Sequence, residues 1–453
     1  MNADVLSVAL AFSPTVEVPV GRLALDGNAV IFEYHGGFAA SGLSLNPAFG
    51  LIGPGLLRAR DPQSFRGLHG VFADSLPDAW GQLLMERRLR RTGIAIAALT
   101  VLDRLAWVGR RGRGALVYEP ASDNAEEDSD VDLDQLMRDV HEVLEGDEAT
   151  VLREMERLGG SSGGARPKVH VALDDSGHAR SDDNELPPGY SSWIVKFRAS
   201  VDRFADIGPL EAAYAQTARR AGITMPRTRL ISSPSGPGYF ATERFDRGPG
   251  GQRFHMLSIG GMLDADWSVP SIDYENLMEA VRRATRDEQA VTEIFRRMVF
   301  NVLAVNRDDH AKQHALLLGS DGAWHLSPAY DLTLAAGPGN EHYLAINGRG
   351  RDITQRDILA VAERQSIAAR RAHSIIDEVA TSVAALPSIA NDFGVTRTTL
   401  DEIKRATEEQ LSLVNSLWSA GPPIGGPGLK GEPDRSSSPK NVDEEIGGKG
   451  FHW

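Results

Sequence analysis

The sequence contains no cysteine. That excludes disulfides, thiol nucleophiles and zinc–thiolate sites, and it removes any need for an oxidising compartment. Long apolar runs are missing too. No stretch approaches the roughly 20 residues that span a bilayer, and the opening MNADVLSVALAFSPTVEV lacks the basic flank and apolar core of a signal peptide. The cytoplasm is therefore the expected compartment. Positive charge is also short: 48 Lys and Arg against 62 Asp and Glu leave a net charge of −14. Non-specific affinity for nucleic acid is expected to be poor over the molecule as a whole. One basic island interrupts this, Arg87, Arg88, Arg90 and Arg91 in MERRLRRTG with Arg110, Arg111 and Arg113 in GRRGRG. It reads either as a solvated helix face followed by a basic turn, or as a patch for an acidic partner or a DNA backbone.

What is present is the composition of a soluble globular protein, 42% hydrophobic and 24% charged. At 453 residues the chain exceeds one ordinary core, and two or three domains are expected. Residues 16 to 34 alternate around Asp26-Gly27-Asn28, the pattern of a hairpin. In SLPDAWGQLLMERRL, Ser75 or Asp78 can start a helix carrying Trp80, Leu83 and Leu84 on one face. The acidic ASDNAEEDSDVD is too charged to bury and reads as a linker. Two short helical patterns follow, ending at LREMERL. A mixed α/β unit comes next, through WIVKF, a helix PLEAAYAQTARRAGI and strands TRLIS and GYFATERFDR. Beyond about 270 the pattern is mostly helical. From Ser419 the Gly-, Pro- and Ser-rich end is expected to be disordered.

Four stretches carry chemistry. GGSSGGARPK, residues 159 to 168, can bring backbone N–H groups close to a phosphate, although it lacks the Gly-Lys-Ser/Thr ending of a P-loop and a flexible linker looks the same. Lys196 in WIVKF either snorkels from an edge strand or grips nucleotide phosphates, with Glu211 as a possible partner. In NRDDHAKQH, Asp308 and Gln313 have the spacing of a protein kinase's catalytic aspartate and its metal-binding amide. The alternative is a polar helix terminus with capping aspartates. Asp331 in LSPAYDLTLA has the apolar flanks and position of an aspartate that bridges Mg²⁺ to phosphates; otherwise it marks a strand-end turn. The four occur in the order of a kinase, so phosphoryl transfer is the expected reaction. A metal-dependent hydrolase on Asp308, Asp309, His310 and His314 competes less well: no glutamate base lies between the histidines, and Lys196 and the glycine loop stay unused.

With FADSLPDAWGQLL, GGARPK, ERFDR, FNVLAVNRDDHAKQH and SPAYDLT, the chain resembles the HipA family of serine/threonine kinases, toxins of bacterial toxin–antitoxin pairs, from about residue 16 to 418. The resemblance implies an α+β, bilobal protein-kinase-like fold. A small N-terminal α/β subdomain (1–118) would be followed by an acidic linker (119–131), a mixed N-lobe (132–250), a mainly helical C-lobe (251–418) and the tail (419–453). It implies Asp308 as catalytic base and ATP with Mg²⁺ as cofactors, Asp331 and Gln313 holding the metal. Lys196 would contact the phosphates under the loop Gly163, Gly164, Ala165, Arg166, Pro167 and Lys168. Glu243, Arg244 and Phe245 would form the hinge whose backbone bonds adenine. His310, Ala311, Lys312, Gln313 and Tyr330 would line the nucleotide from the other lobe.

Ser161 matches the loop serine that the family phosphorylates on itself, and a phosphate of about −1.5 to −2 charge there would repel ATP. The implied partners are a small helix-turn-helix antitoxin (HipB-like), operator DNA through that complex, and an aminoacyl-tRNA synthetase as substrate. This sequence departs from the family's pattern twice. Gln313 stands where asparagine is common, adding a methylene at an octahedral metal that tolerates little deviation. Arg166-Pro167 stands where some relatives have Gln-Glu, stiffening the loop and removing one N–H. Gln313 keeps open the alternative of a pseudokinase that binds nucleotide or antitoxin without transferring phosphate.

Overall fold

The computed structural model describes residues 3–27, 29–48, 55–61, 63–91, 93–121, 130–145, 166–182, 186–199, 202–234, 236–266 and 270–415. The N-terminal part is an antiparallel sheet in the order β4-β3-β2-β1-β5: β1 (Val5–Ser13), β2 (Val16–Asp26), β3 (Ala29–Tyr34), β4 (Leu56–Arg58) and β5 (Leu116–Glu119). The expected hairpin is β2 and β3, closed where Asp26 faces Ala29. Three helices accompany the sheet: α1 (Gly70–Ala73), α2 (Ala79–Arg91) and α3 (Val101–Val108). Asp78 starts α2, its Oδ1 accepting the Gly81 N–H at 2.7 Å, which is how a capping carboxylate meets an orphan donor.

A second, six-stranded antiparallel sheet has the order β10-β11-β9-β7-β8-β6. Its strands are β6 (Asp130–Val131), β7 (Lys168–Leu173), β8 (Ala179–Ser181), β9 (Ser191–Lys196), β10 (Thr228–Ser233) and β11 (Gly236–Glu243). The acidic stretch read as a linker thus meets strands at both ends; residues 122–129 lie outside the described ones. So does the second of the two helical patterns, while the first is α4 (Leu133–Glu145). One face of this sheet is apolar. Val169, Val171, Trp193, Val195 and Ala241 pack with Leu136, Val140 and Val143 of α4 and with Trp80 and Leu84 of α2. Side chains alternate along a strand, so residues 168, 170, 194, 196, 240 and 242 face the other way, into a cleft. Helix α5 (Ile207–Arg220) borders that cleft.

The rest is mostly helical around a three-stranded sheet, β12 (His255–Ser258), β13 (Ala315–Leu318) and β14 (Trp324–Leu326), ordered β12-β13-β14. Its helices are α6 (Ile259–Leu263), α7 (Tyr274–Thr285), α8 (Glu288–Leu303), α9 (Gln355–Arg364), α10 (Ala369–Ala384), α11 (Leu386–Asp392) and α12 (Arg397–Asn415). No helix among the described residues is long and apolar enough to cross a membrane. The N-terminal part is built into this body. Asp74 accepts from both the N–H (2.6 Å) and the hydroxyl (2.7 Å) of Ser258, and a Cβ on Gly70 would meet the Gly261 carbonyl at 2.4 Å. Only glycine permits that approach.

Candidate functional site

The stretch 306–314 leaves α8 and runs as a loop through a short 3-10 turn, Ala311–Gln313, into β13. Its entry is strained. Val305 has φ 56, and a β-branched residue in the left-handed region costs ~1–3 kcal/mol unless its surroundings impose it. Here its carbonyl accepts from Ala335 (3.1 Å), while Asn306 is tied to Asn301 through backbone and side chain, each at 2.9 Å. Asp331 also has a positive φ, 59. It sits in no strand, so the reading of a strand-end turn is set aside.

Lys196 lies on β9, between β11 and β7, and an interior strand leaves no edge to snorkel from. Its Nζ is 2.9 Å from Glu211 of α5 and also pairs with Asp331. Burial and the charges of Arg166 and Lys168 push Lys196 down to about 8, with Asp331 opposing. Burial would raise Asp331, but Lys196, with Lys168 and Arg166, holds it well below the usual carboxylate range. Gln313 donates to the second Asp331 oxygen at 3.0 Å, so the two expected metal ligands are adjacent. Arg166, one of the departures from the family's loop, pairs with Glu211 and lies 3.4 Å from Asp202, sharing the carboxylate that Lys196 uses.

Lys168 faces Lys196 directly across β7 and β9. Like charges placed opposite each other are destabilising. Each is offset by acids: Asp78 Oδ2 lies 3.1 Å from Lys168, both side chains under 5% exposed, and Glu211 and Asp331 hold Lys196. The chain has only seven lysines, and three of them, Lys168, Lys196 and Lys312, line this one cleft. Burial and the charge of Arg113 push Lys312 down to about 8. The cleft measures about 920 Å³ including its open mouth.

Asp308 is not among the residues lining the cleft; half its side chain is exposed, and it lies 3.8 Å from His310, which does line it. Partial burial, then the charges of Asp331 and Asp309, push its carboxyl up to about 7. A carboxylate of that basicity can take a proton near neutral pH. Asp309 does something else: it is 1% exposed and accepts from Tyr274 (2.8 Å), His342 (2.8 Å) and the Tyr343 N–H (2.9 Å). His314 is buried against Tyr274, neither ring nitrogen hydrogen-bonded, and burial and Arg297's charge push it down to about 3. The hydrolase constellation is therefore not assembled, and no group of three metal-ligating side chains occurs among the described residues.

The segment 243–245 closes the far end of the cleft. The Glu243 carboxylate is turned to Arg227 (2.6 Å), and its N–H donates to the Arg227 carbonyl. Arg244 is spent inside the protein on Asp246 (2.9 Å), Asp182 (3.2 Å) and His170 (3.0 Å), and its N–H donates to the Ser192 carbonyl (2.8 Å), so neither its side chain nor its N–H is left for the role the resemblance implies. Phe245 packs on Tyr330 at 5.5 Å, and the Tyr330 hydroxyl donates to the Lys312 carbonyl. Ala311 is buried beneath. Pro167 accepts from the Phe197 N–H. Gly163, Gly164, Ala165 and Ser161 lie outside the described residues.

Sequence reasoning gave no role in the cleft to Asp74, Asp78, Arg113, Asp246 or His170, naming Asp78 only as a helix start and Arg113 only within the basic island. Asp74 and Asp78 lie in FADSLPDAWGQLL, and their partners are 184 and 90 residues away. Asp246 accepts from the Gly114 N–H (2.7 Å) and pairs with Arg247 (2.8 Å), tying ERFDR to the N-terminal part. The basic island is not one free face either: Arg110 sits between Glu17 (2.6 Å) and Glu119 (2.9 Å), and Arg88 lies over the Trp107 ring.

The HipA N-terminal domain family matches residues 15–119, and the HipA-like C-terminal domain family matches residues 160–386. The chain belongs to the HipA family. The fold agrees. HipA of Shewanella oneidensis, solved as a toxin–antitoxin complex with HipB and operator DNA, superposes with a TM-score of 0.67 at 15% identity, covering 91% of this chain and 97% of that one. This HipA-family chain therefore has the α+β architecture of that protein. It is also 30% identical over 156 residues to Y4dM, a protein of Sinorhizobium fredii named as a candidate kinase. That match covers 31% of this chain and spans 37% of the relative's length.

Proposed function

We propose that this chain is an ATP- and Mg²⁺-dependent serine/threonine protein kinase that acts as the growth-inhibiting half of a toxin–antitoxin pair. The observation that carries the reading is the convergence of Lys196, Glu211 and Asp331 in one cleft, with a half-exposed Asp308 beside the cleft-lining His310 and its carboxyl pushed up to about 7. The fit to a nucleotide rests on two opposed lysines held by acids in an open cleft, and a carboxylate beside an amide. Asp331 and Gln313 would hold Mg²⁺, which supplies positive charge to the triphosphate oxygens. Lys196 and Lys168 bind and orient the phosphates, Lys196 being aimed by Glu211. Asp308 accepts the proton of the attacking hydroxyl at its carboxylate. The backbone groups of 243–245 that the Arg227 and Ser192 carbonyls do not take, with the Phe245–Tyr330 pair, receive adenine.

The likeness to a HipB-bound neighbour supports a small helix-turn-helix antitoxin as partner, with operator DNA reached only through it. The neutralised Arg110 fits that indirect role. The proposed substrate is a translation component such as an aminoacyl-tRNA synthetase, and Ser161 is the proposed site of self-phosphorylation. The test is phosphoproteomics after induced expression of wild type and Asp308→Ala. Phosphate on Ser161 and on a translation protein, both absent with Asp308→Ala, is expected. Equal phosphorylation by the two would remove the assignment, and nucleotide binding with no transfer would leave a pseudokinase.

A further inference from the structure

The cleft face of the second sheet carries a residue that none of the roles above uses. Register sets Thr242 opposite Ile194 and Ile194 opposite His170, forming a row across β11, β9 and β7. The next row is Phe240, Lys196 and Lys168. Two residues along a strand span about 6.5–7 Å. The row of His170 is the one nearer 243–245, so it covers the nucleoside half of a ligand whose phosphates meet the lysines.

His170 lines the cleft and is 6% exposed. Its Nδ1 lies 3.0 Å from Arg244 Nη1. A guanidinium has only donors, so Nδ1 is the acceptor, and turning the ring over would set a carbon against Arg244. Burial and the Arg244 charge keep the ring neutral. The single ring proton is then on Nε2, which is buried and has no hydrogen-bond partner. An unmet buried donor is costly, and native proteins keep few.

We infer that His170 reads the nucleoside: its Nε2–H donates a hydrogen bond to an acceptor on the base or ribose of the nucleotide held in the cleft. The inference rests on the nucleotide-binding reading above and deepens it. Phenylalanine at this position keeps the ring and loses the donor. Glutamine keeps both functions, since its oxygen can accept from Arg244 while its amide donates.

The test is calorimetric titration of wild type, His170→Phe and His170→Gln with MgATP and with inorganic triphosphate, each variant first checked for an unchanged melting profile without ligand. His170→Phe should weaken MgATP ~5- to 100-fold, His170→Gln should recover most of that, and triphosphate should be unaffected. Of 3-deaza-, 7-deaza- and 2′-deoxy-ATP, the one lacking the acceptor should lose the same factor with wild type and nothing more with His170→Phe, which separates base from ribose. If the Phe variant misfolds, the glutamine variant and the analogues carry the test on wild type. MgATP affinities within twofold for wild type and His170→Phe, or a parallel loss for triphosphate, would overturn the inference. Wild type binding neither ligand would instead overturn the nucleotide reading itself.

Discussion

Replacing Asp78 by asparagine removes one charge and almost no volume from the junction between the N-terminal part and the start of β7. Asp78 has two duties: Oδ1 caps α2 through the Gly81 N–H, and Oδ2 lies 3.1 Å from Lys168. Asparagine caps a helix about as well as aspartate, so the first duty survives. The second is lost where both side chains are under 5% exposed. A solvent-exposed pair would be worth about 0–1 kcal/mol, but removing one partner of a buried pair costs ~3–5 kcal/mol because the other charge stays buried. The expected loss is therefore ~3 kcal/mol. The assay is urea denaturation of wild type, Asp78→Asn, Lys168→Met and the double variant. The double should be milder than the sum of the singles by at least ~2 kcal/mol, in the range of coupled contacts. Saturating MgATP should return part of the Asp78→Asn loss, since phosphate replaces the missing carboxylate. A coupling below ~0.5 kcal/mol would refute the buried-pair reasoning.

Other expectations follow from the same geometry. In the metal-free protein the Asp308 carboxyl should titrate near 7 by carboxyl NMR, because burial and the charges of Asp331 and Asp309 raise it. A base works only when deprotonated, so the transfer rate should rise with pH, and Mg²⁺ should move the inflection to lower pH; a metal-free inflection below 5 would count against this. Asp309→Asn sets an amide N–H₂ among three donors, Tyr274, His342 and Tyr343, and should cost ~2–3 kcal/mol in denaturant titrations. Gln313→Asn should keep the contact region of Asp331 and raise the rate in Mg²⁺ relative to Mn²⁺, read from initial rates in each metal.

Local signals in the sequence were legible. Alternation around Asp26-Gly27 marked β2 and β3, and Asp78 before an apolar stripe marked the start of α2. Strand β1 escaped although it alternates, Leu6, Val8 and Leu10 buried between more exposed neighbours, because the N-terminal stretch was weighed only as a signal peptide. Lys196 was visible as a charge among apolar residues, but its interior place depends on neighbours β7 and β11, which no local pattern ranks. Glu211 could be named only as a possible partner, since helix phase and sheet position together bring it within 2.9 Å. Asp74 had no visible duty and Asp78 none beyond starting a helix, because their distant partners are set by packing between separate segments. His170 left a faint mark: with Lys168 it makes the polar positions of KVHVAL two apart, the period of one strand face.

The most direct test of the central claim is transfer of labelled γ-phosphate from MgATP by the purified full chain, comparing wild type with Lys196→Met, Asp308→Asn and Asp331→Asn. Wild type should incorporate label only with a divalent cation, and Asp308→Asn should be slower by ~10²–10⁴-fold while still binding nucleotide. The other two should lose nucleotide binding as well as transfer. Metal-independent labelling, or a variant at Asp308 as fast as wild type, would contradict the account.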